Sequence, residues 1–293
     1  MKKKIILVIG GTGFIGYHLL KKTSQLGWIS ISASRNKPQK NRKLKKVKYI
    51  KINLKNSRDI RKKLKGNFNF VINLAANSEK SSNLQIKNLI NFFSNKSINK
   101  FIHIGSSAEY GNIKKLPHTE NFKCKPSSVY GKQKLEITNF FLKKFKIFHF
   151  PIIILRLFQV YGPKDNKNKI LPYVLENCLK NNKFNLTKGS QTRDFCSIDD
   201  VIRAFILFLK TGNKRVYGEI FNIGSGKSIT IKKLVKIIQK KTNGGKPIFG
   251  AKSLNKEEVI FSEASIKKIK KYINWVPKTS IEQGINNLIK HEK

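Results

Sequence analysis

Tyr130 and Lys134 stand four residues apart, the spacing that brings two side chains onto one face of a helix. A phenol with a pKa near 10 moves protons poorly at neutral pH, but a neighbouring ammonium favours the phenolate and eases the transfer. Lys134 can also hold a nicotinamide ribose. Ser106, upstream in Ile104-Gly105-Ser106-Ser107-Ala108-Glu109-Tyr110-Gly111, offers a hydroxyl that can hydrogen-bond a substrate oxygen and steady the charge developing there. Together the three suit proton transfer coupled to hydride transfer. Taken singly, Tyr130 reads as an amphipathic helix residue and Ser106 as a turn former, so the case rests on what surrounds them.

The element needed to position a dinucleotide lies at the N-terminus. Residues 4–9 are apolar and rich in β-branched types, as in a strand buried on both faces. Gly10-Gly11-Thr12-Gly13-Phe14-Ile15-Gly16 follows, and a helix is expected from near Thr12. Gly10 allows a tight turn, Gly13 lets the backbone approach a pyrophosphate, and Gly16 lets the helix pack closely. The helix's unpaired N–H groups then face the phosphates. Ile15, Leu19, Leu20 and Leu26 form its apolar stripe and Gly27 ends it.

The second strand runs into Ser34-Arg35-Asn36, where an NAD site usually carries an acid for the ribose 2′-hydroxyl. No acid stands there. Ser34 and Arg35 offer a hydroxyl and a guanidinium, which suit a 2′-phosphate, so NADP(H) is the preferred cofactor and NAD(H) the alternative. An arginine in the solvated loop of a basic protein is the plainer reading of Arg35.

The 293 residues carry 61 Lys and Arg against 16 Asp and Glu, a formal net charge of +45. Such an excess raises nucleic acid or an anionic membrane as a partner. The lysines are spread along the chain among many Asn and Ile, with no basic arm, so a proteome-wide bias explains them and no nucleic-acid partner is expected. A positive field would still attract a doubly anionic nucleotide. Residues 1–9 imitate a secretory signal, but glycines interrupt the apolar run and no stretch approaches the roughly 18 residues that span a bilayer. A soluble cytoplasmic protein without a membrane partner is expected. Cys124, Cys178 and Cys196 are scattered and lack metal-ligand spacing, so buried thiols and no metal are expected.

Further strands are expected at residues 47–54, 70–74, 101–104 and 152–157, with a helix through Leu84, Leu89, Ile90 and Phe93. Alternating strands and helices make an α/β fold, a doubly wound parallel (Rossmann) sheet, with ligands at the strands' C-terminal ends.

These motifs resemble those of the extended short-chain dehydrogenases/reductases, in the NAD-dependent epimerase/dehydratase family that acts on nucleotide sugars. The resemblance spans nearly the whole chain. It takes in the glycine turn, Asn73-Leu74-Ala75-Ala76, Ser106 with Tyr110-Gly111, and the Tyr130/Lys134 pair. It continues through Arg156-Leu157-Phe158-Gln159-Val160-Tyr161-Gly162-Pro163, Thr192-Arg193-Asp194-Phe195, Asp199-Asp200-Val201, Phe221-Asn222-Ile223-Gly224-Ser225-Gly226 and Asn274-Trp275-Val276-Pro277. It implies a cofactor domain over residues 1–163 with 196–226 returning to it, and a smaller nucleotide-sugar lobe from 164–195 and 227–293. It also implies that Phe14, Ile15, Leu74, Ala75 and Ala76 line the cofactor, and that Ser107, Gln159 and Arg193 meet a nucleotide diphosphate sugar. Gln159 stands where many members have asparagine. From the residues alone, Arg193 suits a phosphate or pairs with Asp194, Asp199 or Asp200, and Ser197 with Asp200 reads as a helix cap. Members often form homodimers through helices, here including the Tyr130 helix, whose Phe140, Phe141 and Phe145 serve core or interface.

Within the family, dehydratases carry acids directly after the catalytic Ser or Thr. Ser107 and Ala108 hold those places here, although Glu109 is one residue away. The NADP(H) reading, the chain length and the Gly105–Gly111 stretch then favour reduction of the 4-keto group of a nucleotide-linked 4-keto-6-deoxyhexose. The alternative is a carbon-4 epimerase with tightly held NAD. More distant is a non-catalytic dinucleotide sensor that binds RNA, for which Ser106, Tyr130 and Lys134 have no use.

Overall fold

The computed structural model describes residues 3–75, 82–255 and 257–292. Seven parallel strands form the main sheet in the order β10-β6-β5-β4-β1-β2-β3. They are β1 (Ile5–Ile9), β2 (Ile29–Ser34), β3 (Val47–Lys51), β4 (Phe70–Asn73), β5 (Lys100–Ser106), β6 (Ile152–Leu157) and β10 (Ile220–Ile223). The order reverses between β1 and β4, so a crevice opens at the strands' C-terminal ends. The doubly wound parallel sheet expected from the sequence is present.

Strand β3 ends at Lys51, short of the expected Leu54, because β2 offers partners only as far as Ser34. Ile52 and Leu54 are nonetheless buried, so their apolar alternation reflects core contact beyond the strand.

Side chains alternate across the sheet as a two-residue period demands. Ile6 and Val8 pack with helices α1 (Phe14–Gln25) and α6 (Ile198–Lys210). Leu7 and Ile9 face the opposite core, with α2 (Ser57–Lys63), α3 (Ser82–Ser94) and α4 (Val129–Phe148). Leu19 and Leu20 are buried as the stripe on α1 predicted, and Phe141 is wholly buried on α4. Phe140 and Phe145 pack on that core only partly buried.

A third core lies beyond the crevice. It gathers α5 (Ile170–Leu179), α7 (Ile231–Thr242) and α9 (Ile281–Glu292) around Phe184, Leu186 and Phe195. Two small sheets frame it: β7 (Gln159–Tyr161) and β11 (Ser228–Thr230) flank β9 (Thr192–Ser197), and β8 (Lys183–Leu186) pairs with β12 (Lys246–Phe249). Asp200 on α6 accepts the backbone N–H groups of Lys278 and Thr279 at 2.9 Å each, and its carbonyl takes the Trp275 indole at 3.1 Å. Two distant motifs thus form one joint. Ser197 caps α6 through the Asp199 N–H. Among the described residues no helix is long and apolar enough to cross a membrane, and no group of His, Cys, Asp and Glu could hold a metal. Cys178 and Cys196 are buried thiols, and Cys124 is half-buried.

Candidate active site

The glycine turn closes over the ends of β1 and β4. Gly10 has φ +78°, and a Cβ there would stand 3.0 Å from the Ala75 nitrogen, so the turn and the Leu74-Ala75 segment touch. Asn73 holds that segment by accepting the Ala75 N–H at 3.1 Å. At Gly16 a Cβ would meet the Gly11 Cα at 2.5 Å, which lets α1 sit tight on the turn. Ala76 lies outside the described residues.

A dinucleotide fits this turn. Nothing lies closer than 3.4 Å to a Cβ built on Gly13, and no side chain caps the first turn of α1. Open space and uncapped N–H groups at a helix N-terminus are what a pyrophosphate needs. Ser34 Oγ accepts the Thr12 N–H at 3.3 Å, so the end of β2 lies against the same turn. Arg35 follows on the exposed side.

Ser106 ends β5, and a 3-10 helical turn over Ser107–Glu109 follows it. Ser128 caps α4 through the Gly131 N–H at 3.0 Å, which starts that helix just ahead of Tyr130. A Cβ on Gly131 would lie 2.4 Å from the Ala108 carbonyl, so only glycine lets α4 approach the Ser106 turn so closely. Lys134 Nζ therefore donates to the Ile104 carbonyl at 2.7 Å and lies 5.7 Å from the centre of the Tyr130 ring. The three residues predicted to act together meet at the end of β5.

Their electrostatics differ from expectation in one respect. Tyr130 keeps 39 % of its surface open, yet burial around the phenol raises its pKa above 10, and the Ser106 hydroxyl at hydrogen-bonding reach pulls the other way. Its neighbour Lys134 is perturbed in the opposite sense. The lysine is only 4 % exposed, burial pushes its own pKa down to about 8 against the pull of Glu109, and its ammonium turns to the Ile104 carbonyl. The phenol is thus a neutral acid at pH 7.

Glu109 is not aimed at a substrate. Its carboxylate is fully buried, accepts the Ser106 N–H at 2.8 Å and pairs with Arg156 Nε at 2.8 Å. The Ser-x-x-Glu spacing from Ser106 to Glu109 was a readable signal for this capping box. His103, unremarked in the sequence, is a buried neutral ring whose Nδ1 meets the Asn73 amide at 3.2 Å.

Arg193 takes none of the three aspartates considered from the sequence. Asp194 accepts the Gly226 and Ala264 N–H groups, and Asp200 pairs with Arg203. The Arg193 guanidinium instead pairs with Glu258 and donates to the Val259 carbonyl at 2.6 Å. No local pattern could have revealed a partner so far along the chain. Arg193 lines a cavity of about 390 Å³ with Tyr173, Asn185, Gln191, Lys252 and Glu258. Gln159 opens β7 in register with Phe195, and Ser107 begins the turn after Ser106. Lys169, also unremarked, lies 5.3 Å from the centre of the Phe14 ring, beside the glycine turn.

This geometry has counterparts of known description. A CDP-abequose synthase from Salmonella muenchen is 35 % identical over 138 residues, which is 47 % of this chain and 46 % of that protein. A Bacillus subtilis protein described as an uncharacterized UDP-glucose epimerase is 28 % identical over 313 residues, 97 % of this chain and 96 % of its own. Among solved structures, the UDP-glucuronic acid 4-epimerase of Bacillus cereus, in complex with UDP-glucuronic acid and NAD, superposes with a TM-score of 0.86 at 26 % identity, covering 99 % of this chain and 100 % of that one. The Thermotoga maritima UDP-glucose 4-epimerase with UDP-glucose gives a TM-score of 0.88 at 24 % identity, with coverage of 99 % and 100 %. The model of the NAD dependent epimerase/dehydratase family matches residues 6–224. The chain belongs to that family and is an enzyme of the extended short-chain dehydrogenase/reductase type.

Proposed function

We propose that the protein uses NADPH to reduce the 4-keto group of a nucleotide-linked 4-keto-6-deoxyhexose. The observation that carries this reading is the end of β2, where Ser34 stands against the glycine turn and Arg35 follows on the exposed side, with no carboxylate for a ribose 2′-hydroxyl. A 2′-phosphate suits that pair, and NADPH is consumed by a reductase at each turnover. The likeness to CDP-abequose synthases supports it, as does Glu109, whose burial leaves no acid beside Ser106 for dehydration.

In this reading residues 1–163 and 196–226 hold the cofactor, and 164–195 with 227–293 hold the sugar nucleotide. A nicotinamide held there would supply the hydride for carbon 4. Tyr130 gives its phenolic proton to the ketone oxygen, which becomes the new hydroxyl. Ser106 donates a hydrogen bond to that oxygen as negative charge grows on it. Lys134, beside the ring, steadies the phenolate left behind. Arg193 and Gln159 hold the diphosphate, Ser107 meets the sugar, and Lys169 adds positive charge near the phosphates. Two copies pair through α4, where Ile147 and Phe148 are 56 % and 61 % exposed.

The second reading is a carbon-4 epimerase with tightly held NAD, favoured by the whole-chain likeness to the two epimerase structures. Denaturing the purified protein and assaying the released nicotinamide separates them. A reductase yields an empty site and oxidises NADPH when given CDP- or dTDP-linked 4-keto-6-deoxyglucose. Stoichiometric NAD, with no NADPH consumed, establishes the epimerase instead. Arg35→Ala should cut the preference for NADPH over NADH about 10-fold or more, and an unchanged preference removes the cofactor assignment.

A further inference from the structure

We propose that Asn112 is a positioning residue that ties the catalytic turn to the arginine that grips the substrate. This rests on the reading of Arg193 as a diphosphate ligand.

Asn112 follows the turn that hangs from Ser106, and its backbone is pinned. Gly111 has φ +73°, a Cβ there would lie 1.8 Å from the Lys125 carbonyl, and Lys125 N–H donates to the Tyr110 carbonyl at 3.1 Å. From this anchored point the side-chain amide reaches across to residues 258–260. Its oxygen accepts the Ile260 N–H at 2.6 Å and its nitrogen donates to the Glu258 carbonyl at 3.1 Å. A carbonyl and an N–H two residues apart are what a neighbouring strand takes from one edge of an extended chain. One side chain replaces that strand.

The bracketed residues are those that fix Arg193. Val259, between the two bonds, gives its carbonyl to Arg193 Nη1, and the Glu258 carboxylate holds Nη2. Ser127 Oγ donates to the Glu257 carbonyl at 3.2 Å, and Thr192 N–H to the Ile260 carbonyl at 2.9 Å. Asn112 never touches the guanidinium, yet it sets the place of two of the three groups that orient it, the third being the Thr192 carbonyl, which accepts from Nη1 at 2.8 Å. A planar fork held in advance loses less freedom on gripping a diphosphate. Asn112 is exposed, so the fold does not depend on burying it.

The test is calorimetric titration of the full chain with UDP, CDP, dTDP and GDP in turn. Asn112→Ala should weaken binding of the preferred nucleotide about 3- to 10-fold, with NADPH affinity unchanged and the melting temperature within about 2 °C. Asn112→Asp keeps the acceptor for Ile260 and should recover part of the loss. Arg193→Ala should weaken binding further, and adding Asn112→Ala to it should change nothing more. If no nucleotide binds the native protein, or Arg193→Ala leaves binding intact, the reading of Arg193 falls and this proposal with it. If Arg193→Ala weakens binding while Asn112→Ala does not, or the two losses simply add, only the role of Asn112 is overturned.

Discussion

A single hydroxyl separates Tyr130 from phenylalanine, and the proposed reaction needs it for the proton. Tyr130→Phe should lower turnover about 10²- to 10⁴-fold while NADPH binding, followed by fluorescence, stays as it was. A fully active variant would refute the assignment. Lys134 makes the complementary case. Burial lowers its pKa from 10.5 to about 8, so carrying the charge costs the native state about 3 kcal/mol at neutral pH. The unfolded chain binds the proton more tightly, so stability rises with pH between about 8 and 10.5 and the cost is fully present below that window. Lys134→Met loses the bond to the Ile104 carbonyl, worth about 1 kcal/mol, but removes the buried charge. The variant should be inactive yet more stable than the native protein by about 2 kcal/mol at pH 7, a gain that shrinks toward pH 10 in urea unfolding.

Between single residues and the whole lies the strand-turn-helix unit of β5, the Ser107–Glu109 turn and α4. Its core is an ion pair, Glu109 with Arg156, whose side chains are 0 % and 3 % exposed. A buried charge left alone is far worse than a pair, so Glu109→Gln should destabilise the protein by about 3–5 kcal/mol in urea unfolding. Turnover per folded molecule should fall less than about 10-fold, because the carboxylate orients Ser106 and does not transfer a proton in the reaction; loss of about 10²-fold or more would make it a catalytic acid. At this scale the sequence was readable in unequal measure. The Tyr130 helix and the strand ending at Ser106 followed from spacing and apolar runs. The Glu109 capping box was equally local, carried by the Ser-x-x-Glu spacing, whereas its pairing with Arg156, 47 residues on, was not.

Over the whole molecule the charge of +45 is the largest unspent feature. A field of that sign draws a dianionic nucleotide sugar toward the crevice, and salt screens it within about 10 Å at 0.1 M. Raising salt from about 0.05 to about 0.5 M should therefore lower kcat/KM several-fold, with kcat at saturation nearly constant. A flat profile would show that the lysines do not steer substrate. The Asp200 joint also belongs here, since it fastens the 278–279 turn and Trp275 to α6 and so sets the third core against the main sheet.

The sequence alone determined whatever is carried by short-range periodicity and by residue types with few uses. The parallel sheet, the glycine turn at the end of β1, the helix bearing Tyr130 and Lys134, and the missing acid after β2 are all of this kind. Tertiary structure alone decided which charges meet. Arg193 pairs with Glu258 and not with the aspartates nearer in sequence: Asp194 is already claimed by backbone N–H groups, Asp200 by backbone N–H groups and Arg203, and Glu258 is brought up by the loop that Asn112 brackets. Long-range pairing depends on where distant loops come to rest, and burial then sets the protonation of Tyr130 and Lys134. Neither leaves a mark in spacing along the chain.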